Sequence, residues 1–212
     1  MDKSKQIDAF SRFTRVSRET IISFKVFEDM LVNSNKKLNL IGKSTINDIW
    51  LRHFLDSAQV VDFIEENEKS LIDLGSGAGF PGLVIAIILK DRKILKKIKL
   101  VEKSPKKKNF LEEVIKKINL NVEVINKNIF DERKKLSEDI FVARAFKPLE
   151  KILELIHSKA QNWKKIFIFL GKTGIKELLQ ASKSWDIEYK QRVSVTSSDS
   201  LIIEINRLRK KN

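Results

Sequence analysis

The chain has 212 residues, the length of one ordinary domain, and 42% of them are hydrophobic, which is enough to form a core. It contains no cysteine, which excludes disulfides, cysteine-ligated metal sites and a cysteine nucleophile, and with two histidines no histidine-rich metal site is expected. The net charge of +14 favours a polyanionic partner such as nucleic acid, but the lysine bias of an AT-rich genome accounts for the same excess equally well.

The N-terminal segment, MDKSKQIDAFSRF, has no apolar core, so we expect no signal peptide. The longest nearly continuous apolar stretch, residues 80–89, is too short to cross a bilayer. We therefore expect a cytoplasmic protein that makes no contact with membranes, and a monomer.

Two helices are predicted in the first third of the chain. The first half-dozen residues are polar and are expected to be frayed. Apolar residues at helical spacing predict an amphipathic helix over residues 18–34, which the polar stretch 33–39 ends. Thr45 or Asn47 is the expected N-cap of a second helix that continues to about residue 66. Its predicted inward face consists of Ile49, Trp50, Phe54, Leu55, Ala58 and Val61.

From residue 70 onwards the pattern alternates between strands and helices, which implies parallel strand pairing with right-handed crossovers. The last two strands have only the turn 196–200 between them and are expected to form a hairpin. The predicted fold is α/β and Rossmann-like, with a seven-stranded, mostly parallel sheet, a C-terminal antiparallel hairpin and N-terminal helices. Residues 1–66 are expected to be a helical extension packed on a core domain of residues 67–212. Strands are predicted near residues 70–74, 98–102, 122–126, 139–144, 165–170, 186–195 and 200–207, and helices near 81–91, 105–119, 148–160 and 173–182.

Glycine occupies alternate positions directly after the first predicted strand. The segment LIDLGSGAGFPG, residues 71–82, places Asp73 before Gly75, Gly77 and Gly79. Glycine is required where a backbone turns sharply and approaches a ligand closely, and the following helix offers free N–H groups to a polar ligand. The segment predicts a site for an adenosine-bearing cofactor. A purely structural strand–helix turn is the alternative.

The glycine spacing distinguishes between cofactors. The dinucleotide pattern requires its third glycine where this chain has Phe80, whereas D-x-G-x-G-x-G resembles motif I of methyltransferases that use S-adenosylmethionine (SAM). Glu102 ends the second strand, 23 residues after Gly79. Its carboxylate can accept both ribose hydroxyl protons and would repel the 2′-phosphate of NADP. SAM is therefore favoured over NAD, and residues 67–212 are expected to be a SAM-dependent methyltransferase domain.

Five segments stand in a specific order over about residues 35–205: Asn39-Leu40-Ile41, WLRHFLDS at 50–57, IDLGSGAGFPG at 72–82, ARAF at 143–146 and FLGK at 169–172. Together they resemble the RsmG (GidB) family of ribosomal small-subunit methyltransferases. The resemblance implies methyl transfer from SAM to N7 of guanine 527 in the 530 loop of 16S rRNA, with 16S rRNA or the small ribosomal subunit as partner.

The resemblance also implies which residues bind the cofactor. The SAM-binding positions of the family fall on Gly75, Phe80, Ile129, Phe130 and Arg144. Ile129 and Phe130 follow the third strand and would flank the adenine, although apolar residues there are usually core. Arg144 follows the fourth strand, where an arginine can bind rRNA phosphate, stack on a base, hold the cofactor carboxylate or simply pair with a nearby acid.

The RHFLDS block is expected to be a wall of the active site, with Arg52 and His53 as candidate substrate contacts. Arg52 and Asp56 stand four residues apart and could pair on one helix face. His53 alone would be read as a packing histidine. Lys172 is a further candidate substrate contact, but the family often has Lys-Gly where this chain has Gly171-Lys172.

The chemistry needs few ionisable groups, because guanine N7 has a free lone pair and no proton to remove. The sequence therefore assigns no catalytic residue. Adenine N6 methylation is disfavoured, because ARAF stands where an Asn/Asp-Pro-Pro-Tyr/Phe motif would be needed. A methyltransferase of a small molecule or protein and a non-catalytic RNA-binding assembly factor remain alternatives. Lysine runs at 106–108, 116–117 and 164–165 are candidate phosphate contacts or solvated faces.

Overall fold

The computed structural model describes residues 1–94 and 96–211, which build one seven-stranded sheet in the order β3-β2-β1-β4-β5-β7-β6. Strands β1 to β5 pair in parallel, and β7 pairs antiparallel with both β5 and β6. The predicted α/β class, the mostly parallel sheet and the C-terminal hairpin are confirmed. The strands are β1 (Ser70–Leu74), β2 (Lys97–Val101), β3 (Val122–Ile125), β4 (Ile140–Arg144), β5 (Lys165–Leu170), β6 (Trp185–Ser194) and β7 (Ser197–Lys210).

Helices cover both faces of the sheet, so the strands are buried on two sides. Because side chains alternate along a strand, Leu71 of β1 joins the apolar cluster under α2, α4 and α5, whereas Ile72 and Leu74 join the cluster under α6 and α7. The helices are α1 (Lys3–Thr14), α2 (Arg18–Leu38), α3 (Asp56–Ala58), α4 (Gly82–Asp91), α5 (Pro105–Lys117), α6 (Leu149–Lys159) and α7 (Gly174–Ser184). None of these described helices is both long and apolar enough to cross a membrane.

The N-terminus is helical, so the expectation of a frayed end is wrong. Asp2 caps α1 by accepting a hydrogen bond from the backbone N–H of Lys5 at 2.9 Å. Phe10 anchors the helix through edge contacts with Phe24 and Trp50, at 4.7 and 5.4 Å between ring centroids. The helix has few apolar residues, so their helical periodicity is weak in the sequence. Tertiary packing on these rings stabilises the helix.

Helix α2 continues to Leu38, and the predicted break at residues 33–39 is wrong. The polar stretch remains helical because Asn35 is buried and its side-chain oxygen accepts the backbone N–H of Ile41 at 2.9 Å. The helix ends at Asn39, whose φ of 47° places it in the left-handed conformation typical of a helix end.

The second predicted helix is not one regular α-helix. It consists of a 3-10 turn at Lys43–Asp48, a π-helical segment at Trp50–Leu55, the single turn α3 and a 3-10 turn at Val61–Phe63. The predicted inward residues are nevertheless all buried. The apolar pattern thus identified the buried face, but it does not distinguish an α-helix from a π-helical segment, a form often found near functional sites.

The other predicted elements lie within two residues of their observed ends, apart from β7. This strand begins at Ser197, so the hairpin turn lies at residues 195–196 and the prediction of a turn at 196–200 is wrong. Polar residues at 197–200 resemble a turn in the sequence, but here they extend an exposed strand end.

Candidate active site

The carboxyl ends of β1 and β4 open on a cavity of about 900 Å³. The chain leaves β1 towards β2 on one side and returns to β4 on the other, and such a switch point leaves a crevice in which α/β proteins bind ligands. Eight residues singled out in the sequence line this cavity: His53, Gly75, Gly77, Phe80, Glu102, Ile129, Phe130 and Arg144.

The three loop glycines have positive φ values, and they are required for two different reasons. A Cβ on Gly75 would overlap the ring of Phe146, and one on Gly79 would lie 2.6 Å from Leu83 Cδ1. A Cβ on Gly77, where φ is +58°, would meet no atom closer than 3.9 Å and would extend into the open cavity. Gly75 and Gly79 are therefore required by packing, whereas Gly77 leaves space for a ligand beside the backbone.

Glu102 closes the other side of the glycine loop. Its two carboxylate oxygens accept the backbone N–H groups of Gly77 at 2.9 Å and of Ser104 at 2.7 Å. Each carboxylate oxygen can accept a further hydrogen bond, and the side chain lines the cavity. The loop and Glu102 together form a cradle that fits the ribose of an adenosyl group, which would lie close to the loop backbone with its hydroxyls towards Glu102.

Asp73, which the sequence suggests as a cofactor contact, lies behind the loop and does not line the cavity. It is fully buried, and one oxygen accepts the backbone N–H of Gly82 at the start of α4 at 2.9 Å. Its other oxygen has no hydrogen-bond partner among the residues that the structure describes. Burial raises the pKa of Asp73 to about 7.

The raised pKa predicts a pH-dependent stability. Native Asp73 binds a proton up to about pH 7, whereas the unfolded carboxyl releases it near pH ~3.9. Its contribution is therefore fully present below the unfolded pKa and is lost as pH rises through about 7. We expect the free energy of unfolding, measured in urea from pH 5.5 to 8, to fall by about 2 kcal/mol more in the parent than in Asp73→Asn. Equal slopes for the two proteins would contradict this assignment.

His53 forms part of the cavity wall as a neutral ring. Its Nε2 atom lies 2.9 Å from the Thr45 hydroxyl, and the ring stacks on Phe80 at 4.9 Å. Burial, reinforced by the positive charges of Arg144 and Arg52, lowers the pKa of His53 to about 3. An imidazole with this pKa carries no imidazolium proton near neutral pH, so it cannot act as a general acid, and the ring supplies shape and stacking surface.

Arg144 is anchored by the RHFLDS block rather than extended freely into the cavity. Its Nη2 donates to the carbonyl of Arg52 at 2.6 Å, its Nη1 donates to the Ser57 hydroxyl at 3.3 Å, and its Nε lies 3.1 Å from Asp56 Oδ2. The guanidinium carbon lies 5.8 Å from the centroid of the Phe80 ring. The suggested Arg52–Asp56 pair is therefore wrong: Asp56 is buried and pairs with Arg144, whereas the Arg52 side chain is exposed.

Two candidate substrate contacts lie outside the cavity. The Arg52 side chain is exposed, and only its carbonyl reaches the site, through Arg144. Lys172 is 84% exposed and lies 3.8 Å from Asp199, away from the cavity lining. The lysine pair at 164–165 is also remote, because it lies at the amino-terminal end of β5, whereas the cavity lies at the carboxyl ends of the strands. Its two side chains pair with Asp139, Glu65 and Glu68.

Sequence reasoning missed several residues that line the cavity. Phe146 stacks on Phe130 with 5.9 Å between ring centroids, and Ala145 before it has a φ of 50°. Phe146 belongs to the ARAF segment singled out in the sequence, but there only Arg144 received a role; Phe146 follows the end of β4 by two residues. The lysines that surround the opening come from three separate segments of the chain, which follow β2, β3 and β4, so no single sequence run marks them. They are Lys103, Lys107, Lys127, Lys147 and Lys151, and of these only Lys107 was in a predicted run.

Comparisons with known proteins identify a family. The family model described as "rRNA small subunit methyltransferase G" matches residues 20–204. A ribosomal RNA small subunit methyltransferase G from Pelagibacter ubique is 42% identical over 199 residues, which cover 93% of each chain. The corresponding protein from Rickettsia akari is 34% identical over 92% of this chain and 98% of its own length.

A solved structure supports the fold independently of this family. TrmK from M. capricolum, in complex with S-adenosyl-homocysteine, matches 71% of this chain and 66% of its own with a TM-score of 0.54 and 20% identity. At that identity the likeness shows the fold alone. The family match and the two relatives carry the assignment: the chain belongs to the rRNA small subunit methyltransferase G family.

Proposed function

We propose that this protein transfers a methyl group from SAM to N7 of guanine 527 in the 530 loop of 16S rRNA. The observation that carries the proposal is the cavity at the ends of β1 and β4, in which a glycine cradle and a ribose-type carboxylate face an anchored arginine. Membership of the family supplies the substrate class. The reaction would take place in the cytoplasm on rRNA or the small subunit, with the protein acting as a monomer.

The described residues fit SAM. Gly77 leaves room for a ligand against the backbone, and Glu102 offers acceptor oxygens to ribose hydroxyls. Ile129, Phe130 and Phe146 line the same cavity and provide apolar surface for an adenine. When bound, SAM supplies a methyl group that is already a strong electrophile, because it is attached to a cationic sulfur.

The protein's part in the reaction is alignment and not proton transfer. Guanine N7 carries a lone pair and no proton, so no general base is required. His53 is neutral and has no imidazolium proton to transfer, in accordance with that chemistry. Positioning alone can contribute up to roughly 7–11 kcal/mol in ideal intramolecular reactions.

Arg144 has donors left for the substrate. Three of its five guanidinium N–H groups are engaged by Arg52, Ser57 and Asp56, which leaves two. Guanine presents two acceptors on its major-groove edge, O6 and N7. We propose that Arg144 donates to O6, because a hydrogen bond to N7 would occupy the lone pair that must attack the methyl group.

The cavity opening carries positive charge that suits an RNA backbone. Lys127 and Lys151 pair with acids on the same surface, at 3.1 Å to Glu132 and 2.9 Å to Glu154. Lys103, Lys107 and Lys147 have no carboxylate within ion-pair distance among residues 1–94 and 96–211. Such lysines would bind phosphates and give affinity that depends on salt, with little sequence discrimination.

This arrangement predicts the salt dependence of RNA binding. Lys147→Gln is expected to weaken binding to a 530-loop RNA and to reduce the slope of log K against log salt by about 1. Lys183→Gln is the matched control, because this exposed lysine lies in the last turn of α7 and does not line the cavity. Binding would be measured by fluorescence anisotropy from 50 to 200 mM salt, and equal slopes for the two variants would remove Lys147 from the interface.

The proposal is tested by incubating the protein with tritiated SAM and small ribosomal subunits from cells that lack this gene. Large subunits and a subunit-free sample serve as controls. Label in small-subunit rRNA alone is the expected result. Label in a protein or small molecule without RNA would favour the first alternative, and RNA binding with no SAM affinity would favour a non-catalytic assembly factor.

A further inference from the structure

Asp56 is the centre of a buried hydrogen-bond network that reaches from the cavity to the C-terminal hairpin. Its Oδ2 pairs with Arg144, and its Oδ1 accepts from Gln59 Nε2 at 3.0 Å, Ser194 Oγ at 2.8 Å and Thr196 Oγ1 at 2.9 Å. Gln59 also accepts the backbone N–H of residue 195 at 2.7 Å, which ties the hairpin turn to the same network. The carboxylate is thus held from two sides, and its position is fixed.

This network fixes the position of Arg144, and its carboxylate, Asp56, compensates the positive charge of the guanidinium. Every guanidinium partner of Arg144 lies in residues 52–57, and Asp56 is the only carboxylate within ion-pair distance of it among the described residues. Burial lowers the pKa of Arg144, and the Asp56 carboxylate 3.1 Å from its Nε opposes that effect. The pair as a whole is close to neutral.

A neutral pair matters because both the proposed cofactor and the proposed product are cations. An unpaired arginine lining the cavity would repel the sulfonium of SAM, and a methylated guanine as well. We propose that Asp56 is a positioning residue that orients Arg144 and cancels its charge, so that the cavity can hold a donor cation beside an arginine. The inference rests on the proposed use of SAM.

Charge cancellation has a signature that does not require RNA or turnover. SAM carries a cationic sulfonium, whereas S-adenosylhomocysteine has a neutral thioether and is otherwise nearly the same size. The ratio of the two dissociation constants, Kd(SAM)/Kd(S-adenosylhomocysteine), therefore reports the electrostatic cost of the positive charge. A role of Asp56 in folding alone would change both constants together and leave the ratio unchanged.

The test measures both constants by isothermal titration calorimetry for the parent, Asp56→Asn, Arg144→Gln and the double variant. Asp56→Asn is expected to raise the ratio on the order of tenfold, because it leaves Arg144 unpaired beside the ligand. Arg144→Gln is expected to lower the ratio or leave it unchanged. The double variant has neither charge and should return to within about twofold of the parent.

Thr196→Val is the matched control within the network. It removes one hydrogen bond to Asp56 without changing any charge, so its ratio should equal that of the parent even if the melting temperature falls. An unchanged ratio in Asp56→Asn, or a double variant whose ratio stays as high as that of Asp56→Asn, would overturn the inference. Failure of the parent itself to bind either compound would instead overturn the proposed cofactor.

Discussion

Replacing Gly77 with valine is expected to raise the Kd for SAM at least about a hundredfold. The side chain would extend into the open cavity between the glycine loop and Glu102, where the structure leaves space beside the backbone. Without that space, SAM can no longer lie against the backbone of the glycine loop. A hundredfold change in Kd corresponds to about 2.7 kcal/mol of binding free energy. Calorimetric titration with SAM measures the effect directly.

Valine at a φ of +58° also strains the backbone, at a cost on the order of 1–3 kcal/mol, so the fold must be checked separately. Gly77→Ala gives a smaller side chain at the same position and should show an intermediate loss of affinity. Gly171→Val is the matched control, because a Cβ on Gly171 meets nothing within 4 Å and its backbone has no positive φ. A Gly77→Val protein that is folded and binds SAM normally would rule out the glycine-loop assignment.

Arg144→Gln is expected to lower kcat/KM for rRNA methylation by roughly 10²–10³-fold, the range for loss of one preorganised donor in an active site. The variant loses both N–H groups that remain for the substrate and the anchored geometry over Phe80. Because the donors are assigned to guanine, the Kd for SAM should change less than tenfold. A large rise in that Kd would instead place Arg144 on the cofactor carboxylate.

Stability has to be separated from activity in this variant. The substitution leaves the Asp56 carboxylate without its cation, at a cost of about 1–3 kcal/mol, so activity must be measured well below the melting temperature. Arg92→Gln is the control, because it breaks the ion pair with Asp62 at 2.7 Å on the surface away from the cavity. Exposed pairs of this kind contribute at most about 1 kcal/mol, and normal turnover is expected. Normal turnover by folded Arg144→Gln would exclude a functional role for Arg144.

The sheet was predictable because most of its strands are short apolar runs that alternate with helices along the chain. This alternation in the hydrophobic pattern locates the strands. The N-terminal region was less predictable for a physical reason. Phe10 holds α1 through rings that lie far away along the chain, and the π-helical segment at Trp50–Leu55 depends on packing that period does not encode. Local sequence thus identified buried faces there, but not the type of helix.

The site residues that a local sequence pattern marks were predictable. Gly77 and Glu102 were identified from spacing alone, and the structure brings them together through a hydrogen bond of 2.9 Å. The partner of Asp56 was not predictable, because Arg144 lies 88 residues further along the chain and meets it only through the fold. The role of Phe146 and the positions of Lys103, Lys127, Lys147 and Lys151 around the cavity were missed for the same reason.

The most direct test of the proposed function maps the methyl group after reaction with tritiated SAM and small subunits from cells that lack this gene. Cleavage of the extracted rRNA at N7-methylated guanines reports the base and the atom together. We expect label in 16S rRNA and cleavage at guanine 527. Binding of SAM with no label in rRNA, or label at another position, would contradict this expectation.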